Sequence, residues 1–464
     1  MKNIELRPKV HATAPKNWIN DPNGMVYVDG KYHLFYQYYP DEPVWGPMHW
    51  GHVVSEDLLH WEHLPIALYP DELGAIFSGS CVLDVDNVSG LGTKDKPAMI
   101  AVYTSHNMKN GQEQQSIAYS TDYVHFEKYY GNPVIANTEK KDFRDPKVFW
   151  NPVKNCYSLV LAAGDHVEFY ASKDLKKWEK TGEFKAGEHG YSGICECPDC
   201  FPLMTEDGEK WVLFISMILP EAEVGVKNDV YDRQGHITQY YVGTFDGDTF
   251  YDTEQAEKPL LLDYGTDNYA AVTFQNLEEK VMIGWANSWT YANLVPTVQE
   301  SFRGMMTIAR RMNLVKTQMG YRLSFKMEGL DFAKAGAIPL KQGANRLLVQ
   351  EFGIKVNVES EGSIILSNRK GEKISLTITD EEICLDRRMA GQADFSENYQ
   401  KDSMGLTKTV RVKKNSEIDI VFDHSIIEVI ADDGLIPITA SVFPTSQYEV
   451  LTLDGIGTAE IYRL

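Results

Sequence analysis

The octapeptide SEDLLHWE at residues 55–62 recurs as STDYVHFE at 120–127 and as SKDLKKWE at 172–179. These copies share the pattern Ser-x-Asp-x-x-x-aromatic-Glu, and a looser copy, TFDGDTFY, lies at 244–251. Each copy follows a strand-like run, and its Ser and Asp can bond the local backbone, which indicates a turn into another strand. The copies begin 65, 52 and 72 residues apart. A strand-rich unit repeated at such intervals predicts a β-propeller; a turn motif shared by coincidence in a β-sandwich protein is the alternative.

The repeat also predicts which side chains meet at the centre of the propeller. The positions 17 to 19 residues beyond the aromatic residue of each copy are Ser78, Asp145, Glu196 and Tyr269. Upstream of the first copy, the segment NWINDPNGMVYV supplies Asp21 in front of a strand. Because equivalent positions on successive blades converge near the axis, we expect these five residues at one funnel mouth, one from each of five blades.

The pattern of the sequence changes after residue 325. Residues 326–337 lack the blade pattern and are interpreted as a linker. Residues 338–464 contain many short alternating runs separated by turn signals, which are typical of a β-sandwich. The sequence therefore predicts an all-β protein, with a five-bladed β-propeller over residues 1–325 followed by a C-terminal β-sandwich.

The composition excludes several classes of function. The 464 residues are 43% hydrophobic and 24% charged, as expected for a globular protein of two domains. A formal net charge of −21 argues against a nucleic-acid-binding protein, which needs a basic face. We find no secretory signal and no apolar run of membrane-helix length, so we expect a cytoplasmic protein with no membrane partner and with reduced cysteines. Whether the sandwich forms a homodimer stays open at this point.

Three carboxylates at one site suggest acid–base chemistry. Buried like charges cannot all stay ionised cheaply, so one member of the cluster is expected to hold a proton. Glu196, in the apolar segment GICECP, is the best candidate proton donor, whereas Asp145 has Arg144 beside it and is expected to stay ionised. Asp21 follows Asn20, an arrangement that suits an ionised nucleophile held by hydrogen bonds. Taken singly, NDPNG also reads as a tight turn, and Arg144 could simply pair with Asp145.

The segment SGICECPDC places Cys195, Cys197 and Cys200 around Glu196. Side chains alternate between the two faces of a strand. If Glu196 points into the funnel, Cys195 and Cys197 therefore point away from it, into the packing between blades. A disulfide or a metal site is the alternative, and a metal held by these cysteines would make the protein a metal-dependent hydrolase.

Six groups of motifs carry a resemblance to a known family. The segments NWINDPNG, FYQYYPDEPVWGPMHWGH, IFSGS, FRDPKVF, ECPD and YAAVTF with IGWANSW occur in this order between residues 17 and 289. Together they closely resemble glycoside hydrolase family 32, which comprises β-fructofuranosidases such as invertases, levanases and exo-inulinases. The resemblance implies a five-bladed propeller followed by a β-sandwich and a retaining mechanism, for which the two reacting carboxyl groups lie about 5–5.5 Å apart.

The resemblance also implies a role for each motif residue. Asp21 would attack the anomeric carbon of a terminal β-fructofuranosyl unit, and Glu196 would protonate the leaving oxygen and then activate water. Asp145, with Arg144, would hold fructose hydroxyls and stabilise the oxocarbenium-like transition state. The implied fructose pocket is lined by Asn20, Gln37, Trp45, Phe77 and Ser78, with Trp18, Tyr269 and Trp285 as walls. Core packing is the alternative for these wall aromatics, and no metal or organic cofactor is implied.

The substrate is predicted less directly. Segments such as LGAIFSGSCVLD and TYANLVPT look more like the levanase and exo-fructanase branch of the family. A cytoplasmic enzyme meets imported sugars, so we expect a small carbohydrate substrate, either sucrose or short fructo-oligosaccharides, with inulin or levan as further fructans. A sucrose-6-phosphate hydrolase is the first alternative, and it would need a basic phosphate pocket. A fructosyltransferase with the same site and a non-enzymatic sugar-binding propeller are the others.

Overall fold

The computed structural model describes residues 4–188, 190–219 and 236–464, and these residues form an almost entirely β structure. Five sheets are the blades of a propeller, and two further sheets face each other in a C-terminal sandwich. The predicted fold class is therefore confirmed. Within the described ranges, no helix has the length and apolar character needed to cross a membrane.

The strands of each blade follow one another outward from the propeller axis. Blade 1 comprises β1 (Asn17–Val28), β2 (Lys31–Tyr39), β3 (His49–Ser55) and β4 (Glu62–Leu68). Blade 2 comprises β5 (Ala75–Asp84), β6 (Ala98–His106), β7 (Glu113–Ser120) and β8 (Glu127–Lys128). Blade 3 comprises β9 (Phe143–Asn151), β10 (Cys156–Ala163), β11 (His166–Ser172) and β12 (Glu179–Phe184).

The last two blades are less regular. Blade 4 comprises β13 (Ile194–Thr205), β14 (Gly208–Ile218), β15 (His236–Phe245) and β16 (Phe250–Tyr251), with β17 (Leu260–Leu261) beside β15. Blade 5 comprises β18 (Tyr269–Thr273), β19 (Val281–Trp285), β21 (Arg310–Thr317) and β22 (Gly320–Met327). The short strand β20 (Phe302–Arg303) pairs in parallel with β1 and so ties the end of the propeller to its beginning. Short 3-10 turns occupy Ala186–Glu188, Ala292–Leu294 and Pro296–Glu300.

The repeated octapeptide is the turn between the third and fourth strands of blades 1 to 4. In the first copy, Asp57 Oδ1 accepts hydrogen bonds from the backbone N–H of Leu59 at 2.9 Å and of His60 at 2.8 Å. The next residue after this aspartate has a left-handed φ in every copy, at Leu58, Tyr123, Leu175 and Gly247. The predicted turn is therefore confirmed, and the aspartate side chain replaces the backbone partners that the turn removes.

The sandwich packs two six-stranded sheets on one apolar core. The first sheet contains β23 (Ile338–Pro339), β34 (Gly457–Arg463), β25 (Glu351–Val358), β30 (Glu417–Asp423), β31 (Ile426–Ala431) and β32 (Ile436–Ser441). The second contains β24 (Gly343–Arg346), β33 (Val450–Asp454), β26 (Gly362–Ser367), β27 (Lys373–Ile378), β28 (Glu382–Asp386) and β29 (Leu406–Val410). Strand β27 reads KISLTI, and its alternate residues Ile374, Leu376 and Ile378 are buried, as the period of two requires.

Three helices of one turn each complete the described structure: α1 (Asp331–Lys334), α2 (Glu397–Gln400) and α3 (Asp402–Gly405). Helix α1 lies in the segment interpreted as a linker. The last blade strand ends at Met327, and the first sandwich strand begins at Ile338.

A buried ionic network joins the two domains. Arg310 of the propeller is fully buried and binds Asp263 Oδ2 at 2.8 Å, as well as Glu428 Oε2 and Thr439 Oγ1 of the sandwich at 2.5 Å each. His11, ahead of the first blade, contacts the same Glu428. Because breaking one partner of a buried pair leaves an uncompensated charge, this network holds the domains in one arrangement.

Candidate active site

A cavity of about 340 Å³ opens where the inner strands of the blades begin. Its volume lies at the lower end of the range for small-molecule sites, roughly 300–1,000 Å³. It is lined by Asn20, Asp21, Gln37, Trp45, Phe77, Ser78, His106, Glu113, Asp142, Arg144, Asp145, Glu196, Ile218 and Trp289. The carboxylates predicted from the repeat therefore share one cavity.

Each inner strand is irregular where it carries its site residue. The pairing register shifts between Ile19 and Pro22 in β1, between Ile76 and Gly79 in β5, between Glu196 and Asp199 in β13, and between Tyr269 and Val272 in β18. In β9 it shifts between Arg144 and Lys147, opposite Ala162 and Val160. Bulges of this kind re-aim side chains and are common beside active sites.

Asp21 lies inside β1, so NDPNG is part of a bulged strand and not a tight hairpin turn. Its Oδ2 accepts a hydrogen bond from Ser78 Oγ at 2.6 Å, and its Oδ1 accepts one from Asn20 Nδ2 at 3.0 Å. Trp18 Nε1 donates to Asn20 Oδ1 at 2.7 Å and orients this amide. These donors hold the carboxyl group of Asp21 in one orientation, as a nucleophile requires.

Glu196 lies across the cavity and has different partners. Tyr269 donates a hydrogen bond of 2.5 Å to its Oε2, and Arg144 Nη2 donates one of 3.0 Å to its Oε1. Burial raises the pKa of Glu196, and the charge of Asp21 adds to this, although Arg144 and Tyr269 act in the opposite direction. A raised pKa keeps the proton on Glu196 over a wider pH range, which is the property of a general acid.

Asp145 corrects one expectation. It has a left-handed φ of +66°, and its Oδ2 accepts the backbone N–H of Cys197 at 2.9 Å. Burial raises the pKa of Asp145 to about 8, because the favourable charge of Arg144 is outweighed and the charges of Glu196 and Asp21 add to the rise. This raised pKa does not agree with the expectation that Arg144 keeps the carboxyl group of Asp145 ionised.

The reason lies in where Arg144 points. Its guanidinium binds Glu196, Asp142 at 2.8 Å, and Glu113 at 3.3 Å through Nη1. Glu113 is itself held by the backbone N–H of Phe143 at 2.7 Å. Arg144 is thus shared among three other carboxylates and makes its hydrogen bonds away from its sequence neighbour.

Cys197 corrects a second expectation. Strand alternation predicted that its side chain faces away from the funnel, but its Sγ lies 3.5 Å from Asp21 Oδ2 and 3.5 Å from Asp145 Oδ2. The cause is the bulge in β13 together with a left-handed φ of +42° at Cys197, which turns its side chain to the same face as Glu196. Cys195 does face away and packs in the core between blades 3 and 4. All six cysteines are free thiols.

The predicted pocket aromatics divide into two groups. Trp45 and Phe77 line the cavity, with ring centres 6.0 Å apart. Trp18 and Trp285 are fully buried and lie behind the cavity wall, so neither is a wall residue as predicted. Tyr269 is also buried and reaches the site through its hydroxyl group, as a partner of Glu196.

Known proteins of one family are similar to this chain over most of its length. A model of the "Glycosyl hydrolases family 32 N-terminal domain" matches residues 11–324, and a model of the "Glycosyl hydrolases family 32 C terminal" matches residues 315–461. The levanase of Bacillus subtilis is 38% identical over 97% of this chain and 68% of the levanase. The invertase of Schizosaccharomyces pombe is 40% identical over 67% of this chain, which matches only 54% of that protein. The crystal structure of exo-inulinase from Aspergillus awamori superposes with a TM-score of 0.87 and 29% identity, covering 99% of this chain and 98% of the inulinase chain.

The chain belongs to glycoside hydrolase family 32. The resemblance drawn from the motifs is confirmed, and the protein is a glycoside hydrolase that acts on fructosides.

Several residues of this family 32 site were not predicted from the sequence. They are His106, Glu113, Asp142, Ile218 and Trp289. Trp289 stacks on the buried Trp18 with ring centres 5.8 Å apart, and so takes the wall position that had been given to Trp285. The segment IGWANSW contains both tryptophans, and strand β19 ends at the fully buried Trp285, four residues before the partly buried Trp289. His106 and Glu113 are paired at 3.1 Å and lie on neighbouring strands of blade 2, with no motif to mark them.

Proposed function

We propose that this family 32 hydrolase is a retaining, exo-acting β-fructofuranosidase that releases terminal fructose from sucrose and short fructo-oligosaccharides. One observation carries the proposal: Asp21 and Glu196 line the same small cavity, each with its own hydrogen-bond partners. Asp21 is held by hydrogen-bond donors. Glu196 has a raised pKa. A carboxylate and a carboxylic acid on either side of a glycosidic bond are the two groups that this chemistry needs.

In the first step Asp21 attacks the anomeric carbon of the terminal fructosyl unit while Glu196 gives its proton to the glycosidic oxygen. The carbon–oxygen bond breaks, and the leaving sugar departs as an alcohol. In the second step the Glu196 carboxylate takes a proton from water, and the water oxygen displaces Asp21 from the anomeric carbon. Fructose leaves, and both carboxyl groups return to their starting states.

Asp145 and Arg144 support the transition state in this proposal. Asp145 and Asp21 both contact the thiol of Cys197, the residue that follows Glu196 in β13. We propose that Asp145 holds two fructose hydroxyls by hydrogen bonds and that its ionised form stabilises the oxocarbenium-like carbon. Arg144 keeps Glu196 in place during both proton transfers.

The charge of the cavity favours a neutral fructoside over sucrose-6-phosphate. Among the described residues that line it, five are acidic and Arg144 is the only lysine or arginine. Arg144 is already bound to Glu196, Asp142 and Glu113. Among the lining residues that the structure describes, a phosphate group would therefore meet net negative charge and no unpaired lysine or arginine, which opposes its binding.

Variants of the two reacting groups test the chemistry. We expect Glu196→Gln to lower kcat on sucrose by at least about a hundredfold, the contribution of a general acid. Asp21→Asn should lower kcat by more than Glu196→Gln does, because it removes the nucleophile that forms the covalent intermediate. Asp165→Asn, with a side chain 85% exposed outside the cavity, is the matched control. Normal turnover by either site variant would refute the assignment.

A substrate panel tests the specificity. Sucrose, 1-kestose, inulin, levan and sucrose-6-phosphate are compared side by side, and the first two should have the highest kcat/KM. Fructose should be the sole early product from inulin, and NMR should detect it first as the β-anomer. The proposal would be contradicted by a preference for sucrose-6-phosphate, by early release of oligosaccharides, or by release of fructose first as the α-anomer. Transfer of fructose to sucrose at high concentration would assign a transferase.

We also propose a cytoplasmic location, for which the six free thiols give support. Activity recovered in the culture medium of the source cells would contradict it. The homodimer is tested by light scattering of the purified protein, where a mass of one chain would exclude it.

A further inference from the structure

Below the catalytic carboxylates, the inner strands of blades 3 and 4 are joined by a buried ion pair. Lys147 follows Asp145 by two residues on β9, and Asp199 follows Glu196 by three residues on β13. Lys147 Nζ lies 3.1 Å from Asp199 Oδ2, and the two side chains are 4% and 0% exposed. Each charge of the pair therefore shares a strand with one of the carboxyl groups of the site.

The same carboxylate oxygen also reaches the inner strand of blade 5. Thr273 donates to Asp199 Oδ2 from both its backbone N–H and its Oγ1, each at 2.7 Å. Lys147 Nζ completes the triangle with a hydrogen bond of 2.5 Å to the carbonyl oxygen of Thr273. Thr273 lies four residues after Tyr269, the partner of Glu196. Three strands that carry site residues thus converge on one Lys147–Asp199 pair.

The backbone ladders alone do not fix these strands at the site. The register of β13 shifts between Glu196 and Asp199, and that of β18 shifts between Tyr269 and Val272. In β9 the shift lies between Arg144 and Lys147. Each bulge interrupts the regular hydrogen bonds that would otherwise set the height of the catalytic side chain. Lys147 and Asp199 are the residues at which the register shifts in β9 and β13 end, and Thr273 directly follows the shift in β18.

Burying such a pair carries a desolvation cost that its mutual attraction offsets only in part, so packing alone does not account for it. Burial lowers the pKa of Lys147, and the charge of Asp199 acts against this effect. A well-packed apolar pair at such a place is often as stable as an ion pair, or more so. An ion pair with fixed hydrogen bonds, in contrast, accepts only one relative position of its strands.

We propose that Lys147 and Asp199 are positioning residues, which set the relative placement of Asp145, Glu196 and Tyr269 from below the cavity. They act through the strands and do not touch the substrate. This inference rests on the proposed function, since it assigns the pair a role in the turnover of fructosides. A shift of the catalytic groups by about 1 Å can lower turnover by roughly a hundredfold, so the effect is expected in kcat.

The test uses Lys147→Met, Asp199→Asn and the double variant, assayed on whichever fructoside the wild type hydrolyses. Removing one charge leaves the other buried and unpaired, whereas removing both relieves that penalty. The double variant should therefore be more stable than either single variant, and urea unfolding measures this difference. Its kcat should stay roughly ten- to a hundredfold below that of the wild type, with KM within about twofold and an altered pH–rate profile.

A second buried ion pair supplies the matched control. Arg411 and Asp432 lie in the sandwich at 2.8 Å, also with side chains 4% and 0% exposed. Arg411→Met should lower stability while kcat at a temperature well below unfolding stays that of the wild type. If the double variant at Lys147 and Asp199 regains wild-type kcat together with its stability, the pair is only structural and the inference is overturned. If single variants fail to fold, the double variant decides alone. A wild type inactive on every fructoside would instead refute the proposed function.

Discussion

Raising the pH should weaken the attachment of the N-terminal segment to the sandwich through one buried histidine. His11 has both ring nitrogens against carboxylates, with Nδ1 2.8 Å from Asp423 Oδ2 and Nε2 3.1 Å from Glu428 Oε1. Burial alone would lower the pKa of His11, but the two carboxylates outweigh burial and raise it from 6.5 to about 9. The folded protein therefore stabilises the doubly protonated, positively charged form of the His11 ring.

The size of the effect follows from this pKa. A rise from 6.5 to about 9, at about 1.4 kcal/mol for each pH unit, corresponds to roughly 3 kcal/mol of folding free energy. Because the folded-state pKa is the higher one, this stabilisation is fully present below pH 6.5. It declines as the pH rises from 6.5 and is lost above about 9.

Urea unfolding at pH 6 and pH 9.5, with a reductant present, measures this contribution. The wild type should lose about 3 kcal/mol more between the two pH values than His11→Gln, which has no proton to lose. His60→Gln is the matched control, because His60 also pairs with an aspartate but its side chain is 75% exposed. An equal pH dependence in the wild type and His11→Gln would refute the reasoning.

The remaining predictions concern the cavity. Tyr269→Phe removes a hydrogen bond that lowers the pKa of Glu196, so the basic limb of the pH–rate profile should move to higher pH. Cys197→Ala removes the thiol contact to both aspartates and should lower kcat, whereas Cys195→Ala, in the core between blades, should cost about 1 kcal/mol of stability and leave kcat unchanged. Trp289→Ala removes an aromatic wall and should raise KM for sucrose about tenfold, equivalent to about 1.4 kcal/mol, with little change in kcat.

The propeller could be predicted from the sequence because its turns are built from local chemistry. The aspartate of each octapeptide accepts hydrogen bonds from the backbone N–H groups two and three residues ahead, so the same short motif marks each of these turns. Strand lengths within a blade are limited, so counting from each turn reached the correct inner-strand residue in four successive blades. The inner strands of the blades converge at the propeller axis, and this convergence places Ser78, Asp145, Glu196 and Tyr269 close to Asp21.

What the sequence could not supply is the direction of individual side chains at the bulges. Alternation failed at Cys197 because a bulge and a left-handed residue turn it back into the site. The protonation of Asp145 was misjudged because adjacency in sequence says little about pairing, and Arg144 bonds to residues of other strands. The wall tryptophan was misassigned by four residues because both Trp285 and Trp289 fit the same short motif.

These failures have one physical origin, which also accounts for the design of the site. A regular strand holds its side chains by ladder hydrogen bonds, but it can offer only alternate residues at fixed heights. Each inner strand here breaks its ladder where it presents a catalytic or binding group. The freed side chains are then fixed by partners from other blades, such as Ser78 on Asp21 and Tyr269 on Glu196. Contacts between blades therefore replace contacts within them, and such contacts depend on residues far apart in the chain, where sequence patterns carry the least information.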